Sequence, residues 1–323
     1  MRTSFIVLVT AALAACGGGS DSAPANPVLG AADPLAADML VFDSSRSGNH
    51  EIFVMKNDGS GARQLTRDTA YKNWWPRLSP DRRKLLFYRS PQGKPERYDL
   101  ASLWAMNVDG TALTLLRAQG TDGWALQGHG EWSPDGSSIA MFGGAASPQI
   151  YIADALGRAP RQVTDRPGVN TDVSWSPDGK TLLFNGCAAL PCSPAGYEIY
   201  SIPAAGGTAV RLTNDNLPDY DPYFSPDGKS IAWLVTSDPA AWSGQGAWSI
   251  RVANADGSNP RWLINDGQIN SKPAWSLDGK SIYFHRMEPL KEIRWGVFRI
   301  ATDGSALTPL TANAPGNNEF PSN

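Results

Sequence analysis

Histidine, cysteine and surplus charge are all scarce in this chain of 323 residues, and each scarcity argues against a class of function. The three histidines are not accompanied by a GxSxG, HExxH or phosphate-binding glycine motif, so common catalytic signatures are missing. A formal net charge of −3 provides no basic surface for nucleic acid. The three cysteines lack the spacing and the neighbouring histidine of a zinc site. Tryptophan is plentiful, with 12 copies, and suits either a β-sheet core or an interface.

The beginning of the chain differs in composition from the remainder. An apolar run over 5–15 is too short to span a bilayer, and it ends in Leu-Ala-Ala before Cys16. The stretch GGGSDSAPANP follows, which is typical of a flexible tether. This segment resembles a bacterial lipoprotein signal. The resemblance implies a signal peptide over 1–15, lipidation of Cys16 and a tether over 16–37, whereas an ordinary secretory signal is the alternative.

The residue after Cys16 and the other two cysteines both agree with export. Gly17 follows the cysteine where retention in the inner membrane usually needs Asp, so the resemblance implies the outer membrane, facing the periplasm. Cys187 and Cys192 lie close together in the segment CAALPC. The periplasm is oxidising and lets such a pair close. We therefore predict a disulfide between them, with two free thiols in a loop as the alternative.

A ten-residue pattern, written WSPDGKTLLF at 175–184, occurs five times with small changes. The turn aspartates of the five copies are Asp81, Asp135, Asp178, Asp227 and Asp278. Spacings of 43 to 54 residues between them indicate a repeat architecture. In each copy Pro fixes φ, Asp can accept a hydrogen bond from the backbone two residues on, and Gly takes a positive φ, which together predict a tight turn between strands. Arg82 replaces this Gly and Leu277 replaces this Pro, so we expect those two turns to be the least favourable.

Each turn is followed by β-rich runs and a second, glycine-bearing turn, so that one repeat consists of four strands. Six pairs of third and fourth strands occur, against five pairs of first and second strands. The segment 38–44 predicts a second strand that lacks a first, and 317–323 predicts a first strand with nothing after it. We therefore predict an all-β fold over 38–323, a six-bladed β-propeller of four-stranded blades. Its C-terminal strand completes the N-terminal blade and removes exposed sheet edges.

These repeats resemble the β-propeller repeats of TolB, the periplasmic Tol–Pal component. The resemblance extends over 38–323 and rests on two features of the repeat. One is the SPDG turn, and the other is a later unit in which a strand containing Ile-Tyr is followed by an Asp-Gly turn and a strand that ends in Leu-Thr. TolB has an additional N-terminal α/β domain, which we expect this protein to lack, so the function of TolB is not carried over whole. A WD-repeat propeller is the alternative class, but its repeated Gly-His and Trp-Asp marks are absent.

The predicted topology separates two faces. Strands alternate in direction, so the turns after the first and third strands form a tight-turn face, and the links after the second and fourth strands form a long-loop face. Long loops on a rigid scaffold concentrate binding residues, so we predict binding at the long-loop mouth of the channel. A solvated loop residue or a strand cap is the alternative for each candidate. The candidate rim residues are Trp74, Trp75, His129, Glu131, Asp172, Asp219, Tyr220, Asp221, Lys272 and Glu319.

The sequence therefore predicts a monomeric, non-enzymatic envelope lipoprotein that binds a protein or peptide at this rim, with Trp74 and Trp75 as exposed anchors. It predicts no cofactor and no nucleic-acid partner. The main alternative is a carbohydrate-active or metal-assisted enzyme on the same face, since oligogalacturonate lyases gather histidines around a metal in such a channel. A site of His129, Glu131 and a second histidine would serve, and a calcium or other divalent ion is conceivable there. A purely structural envelope protein is a third hypothesis.

Overall fold

The computed structural model describes residues 32–236, 247–289 and 293–323. The predicted signal peptide, Cys16 and most of the predicted tether lie outside the described residues. Within those ranges, the helical segments are two single 3-10 turns, Thr121–Gly123 and Pro194–Gly196. None of the described helices has the length and apolar character needed to cross a membrane.

The described residues contain 24 strands, which we number in chain order. They are β1 (Met39–Ser44), β2 (Glu51–Lys56), β3 (Arg63–Gln64), β4 (Tyr71–Leu78), β5 (Lys84–Pro91), β6 (Ser102–Asn107), β7 (Thr114–Arg117), β8 (Leu126–Trp132), β9 (Ser138–Gly144), β10 (Gln149–Asp154), β11 (Arg161–Gln162), β12 (Asn170–Trp175), β13 (Thr181–Gly186), β14 (Glu198–Pro203), β15 (Val210–Arg211), β16 (Asp219–Phe224), β17 (Ser230–Thr236), β18 (Trp248–Asn254), β19 (Arg261–Ile264), β20 (Asn270–Trp275), β21 (Ser281–Pro289), β22 (Ile293–Ala301), β23 (Thr308–Pro309) and β24 (Asn318–Ser322).

The strands form six antiparallel sheets of four strands, which are the blades of a propeller. Blade 1 has the order β24-β1-β2-β3, and blades 2 to 6 begin with β4, β8, β12, β16 and β20. The C-terminal strand β24 pairs with β1 and supplies the inner strand of the first blade. The predicted fold, blade number and closure of the ring are therefore confirmed.

The SPDG turns have the chemistry that the sequence predicts. In the copy around Asp178, the Ser176 hydroxyl donates to Asp178 Oδ1 at 2.6 Å and the Lys180 N–H donates to the same oxygen at 3.0 Å. The other four copies repeat both bonds. Gly179 has φ of 70°, the left-handed conformation that glycine adopts at least cost.

Arg82 occupies the glycine position in the first turn, with φ of 58°. Its guanidinium compensates for this strained conformation by donating to three carbonyls of the preceding segment. The acceptors are the carbonyl oxygens of Leu35, Ala36 and Met39, at 2.9, 2.8 and 2.6 Å. The Arg82 side chain, which stands where the other repeats have glycine, thus holds the segment before β1 on the tight-turn face.

Every inner strand contains a one-residue β-bulge, at the same place in each blade. There the inner strand advances three residues while its partner advances two. An inserted residue of this kind bends the strand and redirects the side chains beyond it. The inserted residues all have φ between 50° and 58°. We call them the bulge ring, and they are Trp75, His129, Asp172, Asp221, Lys272 and Phe320.

Apolar side chains fill the space between neighbouring blades. Val41 and Val54 of blade 1 pack in one cluster with Leu85 and Phe87 of blade 2, and all four are fully buried. Burying such side chains contributes about 1.5–3 kcal/mol each. The blades therefore depend on contacts with their neighbours, and an open ring would expose the end faces.

The closing strand brings two carboxyl groups together. Glu319 on β24 lies opposite Asp43 on β1, and the Asp43 carboxylate contacts the His50 Nδ1 atom at 3.1 Å. Glu96 lies on the far side of this histidine at 3.8 Å and is paired with Lys72. Burial, with a further contribution from Asp43, raises the pKa of Glu319 to about 8. Burial also raises the pKa of Asp43.

Deletion of 317–323 should open the ring, because it removes β24 and exposes the edge of β1. We expect the melting temperature to fall by roughly 10 °C or more and the protein to aggregate. Thermal unfolding with size-exclusion chromatography measures both effects. A truncated protein that melts within about 2 °C of the intact one would contradict the closure.

Glu319→Gln should change how stability depends on pH. A raised pKa means that proton binding by Glu319 favours the folded state, so this contribution is present below the usual value of 4.5 and is lost as the pH rises through about 8. The variant keeps a neutral side chain throughout. We expect it to match the parent near pH 5 and to exceed it by about 1–3 kcal/mol at pH 9 in urea denaturation.

The matched control is Asp109→Asn, which removes an exposed carboxyl group whose pKa is lowered by hydrogen bonds from Thr111. Because that group is ionised over this whole range, its profile should run parallel to the parent. A stability difference for Glu319→Gln that is constant from pH 5 to pH 9 would show that Glu319 does not hold the proton.

Candidate binding site at the long-loop mouth of the channel

The bulge ring brings side chains from all six blades into one contact network around the channel. The Trp75 ring lies 4.3 Å from the His129 ring and 4.9 Å from the Phe320 ring, between centroids. The Lys272 ammonium lies 4.2 Å from the centroid of Trp75, although their blades are not neighbours. With the ion pairs of His129 and Lys272 to Asp172 and Asp221, these contacts link all six ring members into one network.

Charged members of the bulge ring are paired. His129 Nε2 lies 2.7 Å from Asp172 Oδ1, and the Lys272 ammonium contacts the Asp221 carboxylate. Burial opposes ionisation of Asp172, but His129 and Lys272 outweigh it and lower its pKa. For Asp221, burial outweighs Lys272 and raises the pKa. The ring therefore holds its buried charges as compensated pairs, which is the condition for burying them at all.

A second polar layer lies two residues further along the inner strands, nearer the tight-turn face. Arg77 Nε donates to Glu131 Oε1 at 2.5 Å, and Arg77 Nη2 donates to the Tyr223 hydroxyl at 3.0 Å. The Tyr223 hydroxyl donates to the same Glu131 oxygen at 3.1 Å. Arg77 and Tyr223 belong to blades 2 and 5, which stand opposite each other in the ring. This polar triad therefore crosses the channel.

A cleft of about 350 Å³ opens at the long-loop mouth between blades 5 and 6. Its walls are largely apolar, and Tyr220 and Trp248 stand 5.5 Å apart between ring centroids. Its floor carries the charged groups Asp172, Asp221 and Lys272. The wall residues are Tyr220, Leu234, Trp248, Ile269, Met287 and Trp295. Apolar walls around a few fixed polar groups are typical of binding sites.

Two larger grooves, of about 660 and 590 Å³, lie between neighbouring SPDG turns on the tight-turn face. Both contain the same elements of the repeat, a Ser-Pro-Asp turn and the turn of the next blade. Asp227 and Asp278 line the first groove, and Asp135 and Asp178 line the second. Because the groove recurs with the repeat, its shape follows from blade packing, and the cleft at the mouth is the more specific feature.

The structure corrects the predicted exposure of the rim. Trp74 and Trp75 are 3% and 1% exposed, so the prediction that they are exposed anchors is wrong. Trp74 donates to the Ser90 hydroxyl at 3.0 Å inside blade 2, and Trp75 belongs to the bulge ring. The bulge directs the Trp75 indole into the channel network, whereas the Trp74 indole packs within blade 2. Their replacement would therefore affect folding before it affected any partner.

The other predicted rim residues divide between three places. His129, Asp172, Asp221 and Lys272 lie in the bulge ring, and the last three also form the cleft floor. Tyr220 forms a cleft wall. Glu131 belongs to the polar triad. Asp219 accepts a hydrogen bond from Trp233 within blade 5, and Glu319 lies opposite Asp43 within blade 1. Whether these residues bind a ligand stays a prediction.

Sequence reasoning missed Phe320, Arg77 and Tyr223. A signal for such residues exists, because five ring members precede the aspartate of their own SPDG turn by the same number of residues. Arg77 and Tyr223 share a second constant offset from Asp81 and Asp227. Phe320 could not be aligned in this way, because no turn follows it. The apolar walls from the third strands, such as Trp295, carry no comparable sequence mark.

The three histidines do not converge on one site. His50 contacts Asp43, His129 contacts Asp172, and buried His285 accepts a hydrogen bond from the Phe320 N–H at 3.1 Å. Burial lowers the pKa of His285 well below its usual value, so it is neutral. A site with two histidines and Glu131 is therefore wrong for this chain. One ligand atom from each of His129, Asp172 and Asp221 does lie within 4.8 Å of the others, so these residues could hold a metal ion.

Cys187 and Cys192 form a disulfide with Cα atoms 5.8 Å apart, as predicted. The bond lies in the link between β13 and β14, on the long-loop face. It ties together a short loop, and the Val169 N–H donates to the Cys187 sulfur at 3.3 Å.

Comparison with known proteins supports the fold. Residues 116–234 match the family described as the TolB beta propeller domain. The chain is 33% identical over 114 residues to Tricorn protease homolog 1 of Streptomyces coelicolor, and 30% identical over 138 residues to a TolB homolog of Chlorobium luteolum. These stretches cover 35% and 42% of this chain but 10% and 28% of the relatives. The chain thus matches well under two thirds of the length of either relative.

A solved structure extends the likeness to the whole ring. The fold of TolB from Acinetobacter baumannii is similar with a TM-score of 0.69 at 19% identity, over 88% of this chain and 66% of that chain. This identity is low, so the likeness concerns the fold. The matched region runs from the outer strand of blade 2 into blade 5, and the same four-stranded unit forms every blade. Over residues 116–234 the chain is thus similar to the TolB beta propeller domain, and its whole ring is a six-bladed β-propeller.

Proposed function

We propose that this protein is a non-enzymatic, lipid-anchored scaffold of the cell envelope that binds a peptide or protein segment at the long-loop mouth. The TolB-type fold supports a scaffold or binding role. The lipoprotein-like start of the chain supports an anchor at Cys16 and an outer-membrane location facing the periplasm. Protein partners suit this fold because its rigid ring holds several links on one face.

The cleft between blades 5 and 6 is the observation that carries this proposal. Aromatic residues such as Trp248 and Trp295 are the side chains that most often anchor protein interfaces, and here they stand partly exposed beside fixed charges. The polar triad crosses the channel below the mouth, so a bound segment would rest on the bulge ring and not pass through the ring. The partner would contribute an apolar side chain to the walls.

The attachment of the preceding segment supports the choice of face. Arg82 holds the carbonyl groups of Leu35 and Ala36 on the tight-turn face. The described part of the segment before β1 therefore lies on the side of the propeller opposite to the cleft.

A metal-assisted enzyme is the second candidate, and the cluster of His129, Asp172 and Asp221 favours it. Carboxylate and imidazole ligands suit several divalent ions. The Lys272 ammonium argues against this candidate, because it contacts the Asp221 carboxylate and would have to leave it. The cluster is thus better explained as charge compensation within the bulge ring.

Site-specific photo-crosslinking from the two faces tests the proposed function. A photoreactive phenylalanine analogue would replace Met287 in the cleft wall, or Leu113, which is 44% exposed in a turn on the tight-turn face. With the lipidated protein in envelope fractions, we expect a discrete protein adduct from position 287 and none from 113. Trp295→Ala should lower the adduct from 287 by about tenfold if the indole is an interface anchor.

The controls separate the three hypotheses. Chelation with EDTA should leave the adduct unchanged, since the proposed binding needs no metal. Equal adducts from positions 287 and 113 would contradict a specific long-loop site. No adduct from either position would favour a purely structural envelope protein.

A further inference from the structure

Several of the interfaces between neighbouring blades, which we call seams, contain the same set of side-chain hydrogen bonds. In the seam of blades 1 and 2, Glu51 at the start of β2 accepts two hydrogen bonds on Oε2. The Thr66 hydroxyl donates at 2.5 Å and the Asn73 side-chain amide donates at 2.8 Å. The donor residue Asn73 is on the inner strand of the next blade, so this amide joins the two blades.

The seam of blades 4 and 5 has side chains at the same positions, with one chemical change. In the seam of blades 3 and 4, the Asn170 amide donates to Gln149 Oε1 at 3.2 Å, as Asn73 does to its glutamate. In the seam of blades 4 and 5, Glu198 accepts from the Thr213 hydroxyl at 2.7 Å, but Asp219 stands in the asparagine position. A donor amide is therefore replaced by a second carboxylate.

Asp219 is held in place with one oxygen lacking a well-aligned donor. It is 0% exposed, and Trp233 Nε1 donates to its Oδ1 atom at 2.8 Å. Its Oδ2 atom accepts no well-aligned hydrogen bond among the described residues, although the Thr213 hydroxyl lies near enough to the carboxyl group to oppose the rise in its pKa that burial causes. One carboxylate oxygen from each of Glu198, exposed Asp215 and Asp219 lies within 4.8 Å of the others.

The local charge is incompletely balanced. Arg211 contacts Glu198 and Arg251 contacts Asp215, so two guanidinium groups face three carboxyl groups. No ammonium or guanidinium ion pair is formed by Asp219 within the part of the chain that the structure describes. A buried carboxylate without a partner costs several kcal/mol, so the seam needs either one more positive group or a proton on Asp219.

We propose that the seam between blades 4 and 5 binds a Ca²⁺ ion through Glu198, Asp215 and Asp219. The ligand atoms are all carboxylate oxygens, which Ca²⁺ prefers, and their mutual spacing fits Ca–O bonds of about 2.3–2.6 Å. Exposed Asp215 leaves a route for the ion and for water ligands. Because two arginines reduce the local negative charge, the affinity is weak, with a dissociation constant of roughly 10⁻⁴–10⁻³ M, as in extracellular calcium modules.

Calcium-dependent melting of the full-length protein tests this site. After treatment with EDTA, the protein is melted at pH 7.5 in 5 mM CaCl₂, 5 mM MgCl₂ or NaCl of equal ionic strength. We expect calcium to raise the melting temperature by about 2–5 °C and magnesium to raise it less. Calorimetric titration with CaCl₂ should give one site per chain.

Two variants locate the ion. Asp219→Asn restores the amide of the other seams and keeps the acceptor for Trp233, so it should fold and lose the calcium shift. Asp215→Asn changes an exposed ligand, and should lower calcium affinity at least tenfold with little effect on folding. The matched control is Asp109→Asn, which changes an exposed turn aspartate in blade 2 and should keep the full response to calcium.

Two results would overturn the proposal. A calcium shift that persists in both Asp219→Asn and Asp215→Asn would place the ion elsewhere, for instance at the bulge ring. No calcium shift in the parent, with stability that rises on acidification from pH 9 to 6 and does so less in Asp219→Asn, would show that a proton occupies the seam. Burial raises the pKa of Asp219 to about 8, so that outcome is chemically distinct and measurable.

Discussion

The extra residue in each inner strand is the constraint on which the rest of this propeller depends. Six residues that are not glycine adopt positive φ at equivalent places, at a cost of about 1 kcal/mol or more each. The cost is tolerated because the bulges direct the side chains of Trp75, His129 and Lys272 and their counterparts into mutual contact. Neighbouring blades support the bulges, since Asp43 accepts the Trp75 N–H and His285 accepts the Phe320 N–H. The centre of the ring and the seams are thus one connected system.

Buried charge explains much of the remaining architecture. The pairs Lys272 with Asp221 and Arg77 with Glu131 are largely buried, so each charge needs its partner in place. The seams solve the same problem with amide donors, and the seam that contains Asp219 is the exception, because a second carboxyl group replaces the amide there. Among the described residues, Trp248 and Trp295 at the long-loop mouth are partly exposed.

Local rules at the turns made the fold predictable from the sequence. Asp178 and its equivalents gave strand pairs at regular intervals, and the unpaired segments 38–44 and 317–323 required a closed ring. The departure at Arg82 was visible, but its compensation by Leu35 and Ala36 required knowledge of how a distant segment docks.

The site was only partly predictable, for a physical reason. Side chains alternate between the faces of a regular strand, and an inserted residue shifts that alternation for everything beyond it. Trp75 therefore points into the network, although its position at the rim of the long-loop face suggested exposure. The cleft wall could not be predicted from the sequence for another reason. Trp248 and Trp295 come from the third strands of blades 5 and 6, and the distance between these strands depends on the whole ring.

Urea denaturation of Lys272→Met tests most directly the claim that a charge-compensated bulge ring holds the propeller together. The variant keeps the length of the side chain but leaves the buried Asp221 carboxylate without its ammonium partner. We expect a loss of about 3 kcal/mol at pH 7.5, whereas Lys280→Met, at an exposed turn lysine, should stay within about 0.5 kcal/mol of the parent. Equal stability of the two variants would contradict the account, because the ring would then not depend on its buried ion pair.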